Sequence, residues 1–302
     1  DTQRERAFLK IEDGCSQFCS YCIIPYARGP VRSRPLADIL AEARELVGKG
    51  YKELVLTGNH TGAYGTDLQD GTDLAAIAEN LAEISGLHRL RLGSIEPQEV
   101  TDRLIDVIVK HPNICPHLHI PLQAASDQII SAMNRHYTVA FYEELLTKIR
   151  QKIDNVAITT DLIVGFPGET TEIFQESLTN IARLNFADMH IFPYSRRQGT
   201  PAAALPNQID PQVKSAEVKE VSALRDRMKQ DFWQQQLGRK LEILTEQEAV
   251  FDGVRYICGH SPNYLPLAIC LEEKTTENIL PGEIYNLKII AVKNNHLIGK
   301  II

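Results

Sequence analysis

A chain of 302 residues, 43% hydrophobic and 24% charged, is long enough for one large globular domain and a small one, and no apolar run in it reaches the length of a membrane span. Its net charge of −7 argues against strong non-specific nucleic-acid binding, which needs a dominant positive field, but leaves room for a local basic groove. No charged-then-apolar leader precedes Asp1, so no signal peptide is read, and a cytoplasmic protein is expected. The abrupt start, 14 residues before the first of three clustered cysteines, reads as a trimmed fragment or as a protein that begins at its active-site loop.

In chain order, Phe8-Leu9-Lys10-Ile11 reads as a strand feeding Cys15, Cys19 and Cys22, spaced C-x3-C-x2-C. Three thiolates on one short loop hold three irons of a cubane cluster and leave the fourth without a protein ligand, whereas electron-transfer clusters use four cysteines. A zinc site wants four N/S ligands, and the next histidine, His60, belongs to a different segment. Disulfides would leave one thiol unpaired and are uncommon in the cytosol. Past the loop lie Arg28, Arg32 and Arg34, one candidate basic patch; Arg196-Arg197 is another, and solvated surface is the plain alternative for both.

Pro35 suits a first helical turn, and Leu36, Ile39, Leu40, Ala43 and Val47 mark one helical face stopped by Gly48 and Gly50. Leu54-Val55-Leu56 is a strand ending at Thr57-Gly58. A helix follows over Leu74, Ile77, Leu81 and Ile84, then a strand Leu90-Arg91-Leu92 ending at Gly93-Ser94-Ile95-Glu96. A helix over Leu104, Ile105 and Ile108 leads to a strand from His117 to Leu122, with Pro121 at its end. Next come a helix from Phe141 to Ile149, a β-branched strand Val156–Val164 ending at Gly165-Phe166-Pro167-Gly168, a helix over Phe174, Leu178 and Ile181, and a strand Met189–Phe192. Six β/α units predict a parallel sheet, here a partial (β/α)6 TIM-like barrel, with functional groups at the carboxyl ends of its strands.

After Gly199-Thr200-Pro201 the pattern changes. A long polar helix begins at Asp210-Pro211, with Val221, Leu224, Met228 and Phe232 on the face that packs, and Gly238 ends it. Residues 239–302 hold five short strands separated by turns such as Asp252-Gly253, Pro281-Gly282 and Asn294-Asn295, which predict a small all-β OB-like barrel, a fold that often grips nucleic acid. Its charges are nearly balanced, so a purely structural barrel is an open alternative. The domains expected are thus 1–238 and 239–302. Cys115, Cys258 and Cys270 are scattered and read as buried small hydrophobes.

The run Cys15–Cys22, with Tyr21 before the third cysteine, matches the radical S-adenosylmethionine (SAM) signature. With Ile23-Ile24-Pro25-Tyr26-Ala27-Arg28-Gly29, Thr57-Gly58-Asn59-His60-Thr61-Gly62, His117–Ser126, Asp161–Thr170 and Phe192-Pro193-Tyr194-Ser195, it resembles the radical SAM methylthiotransferase family over nearly the whole of the first 201 residues. Ser94-Ile95-Glu96-Pro97 and His190–Ser195 are most similar to the subgroup acting on threonylcarbamoyladenosine at tRNA position 37; isopentenyladenosine in tRNA and a ribosomal-protein aspartate are the alternative substrates, and a non-catalytic iron-sulfur RNA-binding protein is the alternative of another class.

The resemblance implies one 4Fe-4S cluster on Cys15, Cys19 and Cys22, with SAM chelating the open iron. Its reductive cleavage would give a 5′-deoxyadenosyl radical that takes the C2 hydrogen of the modified adenine before sulfur insertion and methylation. Tyr21, Gly58, Glu96, Gln123, Arg135, Gly165 and Phe192 are the candidates around SAM, with Gly168 beside Gly165. Gly58 is read as permitting close backbone approach, Glu96 and Gln123 as bonding ribose hydroxyls or the amino group, and Arg135 as offsetting the carboxylate. The five arginines Arg28, Arg32, Arg34, Arg196 and Arg197 are the candidates for RNA. The C-terminal barrel is similar to the family's TRAM domain. The expected partners are the tRNA anticodon stem-loop, a flavodoxin- or ferredoxin-like electron donor and a sulfur donor. Family members carry a second cluster on an N-terminal domain that this chain lacks, so methylthiolation by this chain alone is doubtful.

Overall fold

The computed structural model describes residues 5–272 and 279–302. In chain order it contains β1 (Arg6–Lys10), β2 (Glu12–Asp13), α1 (Ile24–Arg28), β3 (Arg32–Ser33), α2 (Leu36–Gly48), β4 (Glu53–Thr57), α3 (Leu74–Ala82), β5 (Arg89–Arg91) and α4 (Asp102–Lys110). Then follow β6 (His117–His119), α5 (Asp127–Ala132), α6 (Val139–Lys152), β7 (Ala157–Val164), α7 (Thr171–Leu184), β8 (Asp188–Pro193) and α8 (Pro211–Gln234). The C-terminal part is β9 (Lys240–Phe251), β10 (Val254–His260), β11 (Pro266–Cys270), β12 (Ile284–Lys293) and β13 (His296–Ile301). No helix among the described residues is long and apolar enough to cross a membrane.

Strands β1-β4-β5 and β6-β7-β8 pair in parallel, and bridges Leu90↔Ile114 and Ser94↔His119 join the two triplets into one curved, open sheet. This is the partial (β/α)6 barrel expected from the alternation of segments. Strand β6 is three residues long rather than six. Pro121 has no N–H to offer a ladder, and Gln123 takes a left-handed φ of 63°, so the chain leaves the sheet early. Helix α5 has only six residues, too few to show a period, and sequence patterning misses it.

Helices α2, α3, α4, α6 and α7 pack Ile39, Ile77, Ile105, Leu146 and Ile181, each fully buried, against the strands. Caps start several of them: Thr101, Thr138 and Thr170 accept from Leu104 N, Phe141 N and Ile173 N. Helix α8 serves two cores. Val221, Leu224 and Met228 belong to the large one, while Trp233, one turn on, is buried in the core of the C-terminal barrel with Ile257, Leu267 and Leu297.

The C-terminal strands close in the order β10-β11-β13-β12-β9, the expected OB-like barrel. Closure needs long strands, and β9 and β12 run to 12 and 10 residues, well beyond the apolar stretches that mark them in sequence. A bulge at Cys258/Gly259 bends β10 against β9, and a Cβ on Gly259 would lie 1.9 Å from the Leu244 carbonyl oxygen, so only glycine fits there. Cys115 and Cys258 are buried as expected; Cys270 is only partly so.

The small barrel docks on the amino ends of the large sheet. Arg89 bonds Glu242 through Nε at 2.9 Å and the His260 carbonyl at 2.9 Å, Arg91 reaches the Pro262 carbonyl at 2.9 Å, and Asn263 Nδ2 reaches the Asn155 carbonyl at 3.1 Å. The cysteine loop leaves the carboxyl end of β1, so the two ends of the sheet carry different partners.

Glu169 closes the turn after β7, accepting from Gly165 N at 2.6 Å and Phe166 N at 3.3 Å. Burial pushes its carboxyl up to about 7, the Gly165 N–H opposing and Glu217 adding to the shift. A raised carboxyl keeps its proton in the fold when the unfolded chain has lost it, so stability falls as pH rises from the ordinary value of 4.5 to about 7 and is flat above. Glu169→Gln is expected to remove that slope and to be the more stable protein above pH 7 by up to a few kcal/mol. Urea unfolding at several pH values measures it; parallel wild-type and variant curves would refute it.

Candidate active site: a three-thiol loop at the carboxyl end of the sheet

The short ladder β2–β3, pairing Glu12 with Ser33 and Asp13 with Arg32, forms the neck of the loop that carries the three cysteines. Gly14 begins it at φ +91°, and a Cβ there would lie 2.0 Å from the Pro30 oxygen; no other residue closes this neck. Cys15 N then donates to the Gly29 carbonyl at 3.0 Å. The far side is tied to the end of α5, with Ser20 N bonding the Met133 carbonyl at 2.9 Å, Ser20 Oγ the Ala132 carbonyl at 2.8 Å, and Asn134 Nδ2 the Phe18 carbonyl at 3.0 Å. The loop is held rigid by hydrogen bonds on both flanks.

All three thiols are free; Cys19 is buried, Cys15 and Cys22 half-buried. Donors converge on each sulfur. Gln17 N lies 3.5 Å from Cys15 Sγ, Ile24 N lies 3.4 Å from Cys22 Sγ, and the Arg135 guanidinium lies 3.7 Å from Cys19 Sγ. Such groups favour the thiolate form that metals bind. Burial pushes the Cys19 thiol up, with Arg135 working against it. His60, from the segment after β4, places Nδ1 3.7 Å from Cys15 Sγ and Nε2 2.7 Å from Glu99 Oε1. Burial alone would lower its pKa, but the bonds to Cys15 and Glu99 outweigh it and raise it to about 10.

The fold thus brings His60 within reach of the loop, where its separation in sequence argues otherwise. The donors do not converge as those of a zinc site would. Tetrahedral zinc with Zn–S bonds of ~2.3 Å needs its sulfurs about 3.8 Å apart. Among the described residues, sets of three Cys, His, Asp or Glu donors lie within 4.8 Å of one another at two places, and neither includes a cysteine. Three free thiols spread more widely on a rigid loop, each met by a donor, fit the three-thiolate ligation of a 4Fe-4S cluster and leave one iron without a ligand from the loop.

Beneath the loop Arg135 pairs with Glu96, bonds Tyr137 Oη at 2.8 Å and Tyr21 Oη at 3.1 Å, and is itself buried. Two of the expected SAM contacts, Glu96 and Arg135, are therefore partners of each other behind Cys19. Three more, Tyr21, Gln123 and Phe192, line one cavity of about 360 Å3 together with Cys22, Asp161 and Arg197. Gln123 is fixed there by its backbone, its N–H bonding the Asp161 carbonyl and its carbonyl the Ile163 N–H, both at 2.8 Å.

Gly58 and Gly165 do not line that cavity. A Cβ on Gly58 would sit 1.9 Å from Glu12 Oε1, and one on Gly165, at φ +71°, 2.1 Å from Lys214 Cγ. Gly168 has a φ of 87° and open space around its Cα. Sequence reading misses Glu12, Glu99 and Tyr137. Glu12 and Glu99 act through His60, distant in sequence, and Tyr137 through Arg135: Glu12 is fully buried and accepts from His60 N at 2.6 Å.

Of the arginines, Arg34 is committed to the Lys10 carbonyl at 2.6 Å and Glu42 at 2.7 Å, and Arg196 to the Ala203 carbonyl at 2.7 Å. Arg32 is exposed, bonding the Arg28 carbonyl at 2.8 Å. Arg28 is exposed beside the loop, and Arg197 is exposed at the cavity wall. Phe18 and Tyr26, 50% and 57% exposed, meet edge to face at 5.7 Å on the loop's outer side.

The profile of the Radical SAM superfamily matches residues 9–181. The threonylcarbamoyladenosine tRNA methylthiotransferase MtaB of Bacillus subtilis is 40% identical over 296 residues, which cover 96% of this chain and 63% of that protein. A tRNA-2-methylthio-N(6)-dimethylallyladenosine synthase of Carboxydothermus hydrogenoformans is 38% identical, covering 98% of this chain and 66% of the relative. The chain spans just under two thirds of the length of these relatives. Among solved structures, coproporphyrinogen III oxidase from Escherichia coli superposes with a TM-score of 0.54 at 18% identity over 75% of this chain and 53% of the other. The methyltransferase TsrM from Kitasatospora setae gives 0.53 at 19% identity, over 65% and 38%. These two share the fold.

Proposed function

Since this chain belongs to the radical SAM superfamily, we propose that it is the radical-generating part of a tRNA methylthiotransferase whose target is threonylcarbamoyladenosine. The observation that carries the reading is the three-thiol loop meeting, through Cys22, a cavity also lined by Gln123, Phe192 and Arg197. A reduced 4Fe-4S cluster held by Cys15, Cys19 and Cys22 would supply the electron that cleaves SAM to methionine and a 5′-deoxyadenosyl radical.

The chain's own part is to bind, orient and shield. Arg135 and His60 place positive charge behind Cys19 and Cys15, and the loop's ties to α5 keep the thiols in place. At about 360 Å3 the cavity has room for a nucleoside-sized group beside Cys22, the proximity that a short-lived carbon radical requires. Arg197 and Ser195 at its wall favour the threonylcarbamoyl substituent, which ends in a carboxylate, over an apolar dimethylallyl group. That second substrate is the runner-up, supported by the nearly equal identity of the synthase relative. Exposed Phe18 and Tyr26 offer stacking faces for bases around the target, with Arg28 and Arg32 for phosphates. The reading includes a cytoplasmic setting, a flavodoxin- or ferredoxin-like electron donor and a sulfur donor.

The test is anaerobic. The reconstituted chain is expected to form 5′-deoxyadenosine from SAM with dithionite, and nucleosides of tRNA from cells with and without the gene to differ in the 2-methylthio threonylcarbamoyl derivative. No deoxyadenosine from a fully loaded chain would sink the reading. For the RNA surface, Arg197→Ala is expected to weaken anticodon stem-loop binding and to lower its salt slope by about one. Arg34→Ala serves as a contrast, because that guanidinium is committed to the Lys10 carbonyl and Glu42. Filter binding at several salt concentrations reads both; an unchanged slope for Arg197→Ala would remove it from the interface.

A further inference from the structure

We propose that His119, Asp161 and His190 form a binding site for a divalent first-row transition ion on the inner wall of the large barrel. The three residues come from adjacent strands. Asp161 on β7 is in register with His190 on β8, and His119 on β6 is in register with Thr159, two residues before Asp161 and so on the same face of β7. Ligand-type atoms of all three lie within 4.8 Å of one another. His119 Nε2 is 3.3 Å from Asp161 Oδ2, and the two imidazoles stand at 5.7 Å between centroids, tilted by 49°.

The three donors converge on one place, with His119 and Asp161 half-buried and His190 exposed. The other nitrogen of His119, Nδ1, is 2.9 Å from Thr159 Oγ1, the kind of outer bond that fixes the ring of a metal-bound histidine, here with Nε2 turned toward Asp161. Among the described residues, the His190 ring has no hydrogen-bond partner, and the Asp161 carboxylate meets no group but His119. Lys229 is bonded to Asp188 at 2.6 Å and Arg91 to Glu53 at 2.7 Å, and Arg197, which shares the cavity beside Cys22 with Asp161, makes no ion pair with it.

All three side chains face a cavity of about 490 Å3 that reaches to the docked small barrel, and Asp161 also lines the cavity beside Cys22. Two imidazoles and one carboxylate suit zinc, ferrous iron or cobalt and disfavour calcium and magnesium, which want oxygen. Three protein ligands leave further positions toward the lumen, open to water or to an anionic group of a ligand.

The experiment uses the full chain with its cluster loaded anaerobically, washed of loose metal, titrated with Zn2+ and gel-filtered, with metals counted by mass spectrometry. About one zinc per chain is expected beyond the roughly four cluster irons. His190→Ala and Asp161→Asn are expected to lose that zinc with iron unchanged, and the iron content shows that they fold. Thr159→Val, which keeps all three ligands, is expected to bind zinc about tenfold more weakly. Glu79→Gln, at the other triplet of donors (Glu79, Glu83 and His111), is expected to keep it. The single tryptophan, Trp233, lines the same cavity, so Co2+ is expected to quench its fluorescence in the wild type and not in His190→Ala. A wild type that retains no zinc, a His190→Ala protein that retains as much, or zinc lost equally from Glu79→Gln would each overturn the site.

Discussion

Cys22→Ala is expected to give a protein that folds, stays colourless after anaerobic reconstitution and forms no 5′-deoxyadenosine. Cys22 is the thiol of the three that lines the cavity, and Ile24 N lies 3.4 Å from its sulfur. With it gone, two thiolates remain for a cluster that this loop holds by three, and iron is expected to fall from about four per chain to near zero. The fold does not depend on Cys22, because the loop's ties run through Ser20, Phe18 and the Cys15 backbone. Cys115→Ala is the control. That thiol is 1% exposed, burial pushes it up to about 11, and it lies at the amino end of β6, away from the loop, so its loss is expected to leave iron and turnover intact. Iron and sulfide analysis with chromatography of the SAM products checks both. A brown Cys22→Ala protein with four irons would mean that the cluster is held elsewhere.

The largest effect on stability is expected at Glu53→Ala. Glu53 begins β4, is fully buried, and accepts from Arg91 Nε at 2.7 Å, with Arg89 at 3.6 Å and Arg6 at 3.9 Å. Arg89 and Arg91 in turn hold the small barrel through Glu242 and the carbonyls of His260 and Pro262. Removing the carboxylate leaves the buried Arg91 guanidinium without an anion, while Arg89 keeps Glu242, and losing one partner of a buried pair costs about 3–5 kcal/mol. The sign with pH follows. Burial tends to raise the Glu53 pKa, but Arg91, Arg6 and Arg89 outweigh it and hold it below 4.5. A depressed carboxyl stabilises the fold above its ordinary value and ceases to do so as pH falls through the folded one. Wild type is therefore expected to lose stability in acid more steeply than Glu53→Ala. Trp233, buried in the small-barrel core, reports whether that barrel loosens first. A variant within 1 kcal/mol of wild type would show that the arginines find other partners.

Much of the site was legible because its ligands are local. Three thiols within eight residues need no tertiary partner to be recognised, and the chain order of strand, loop and helix places them at a carboxyl strand end. The pairing of Glu96 with Arg135 was not legible: 39 positions separate them, and each resembles a ligand contact when read alone. The same holds for His60 beside Cys15, 45 positions apart, and for Gly58, whose bare Cα is required by the Glu12 carboxylate. Short elements failed for a different reason. Helix α5 shows no period in six residues, and β6 ends early because Pro121 and the left-handed Gln123 break its ladder.

Periodicity and ligand spacing are properties of neighbours in the chain, so the amino-acid sequence by itself determined the β/α alternation, the five-stranded C-terminal barrel and the three-thiol loop. Which end of the sheet the small barrel caps, which carboxylate each buried arginine meets, and the convergence of His119, Asp161 and His190 were decided only by tertiary structure. Buried charges must find partners wherever the fold brings them within a few ångströms, and that proximity leaves no trace in sequence spacing.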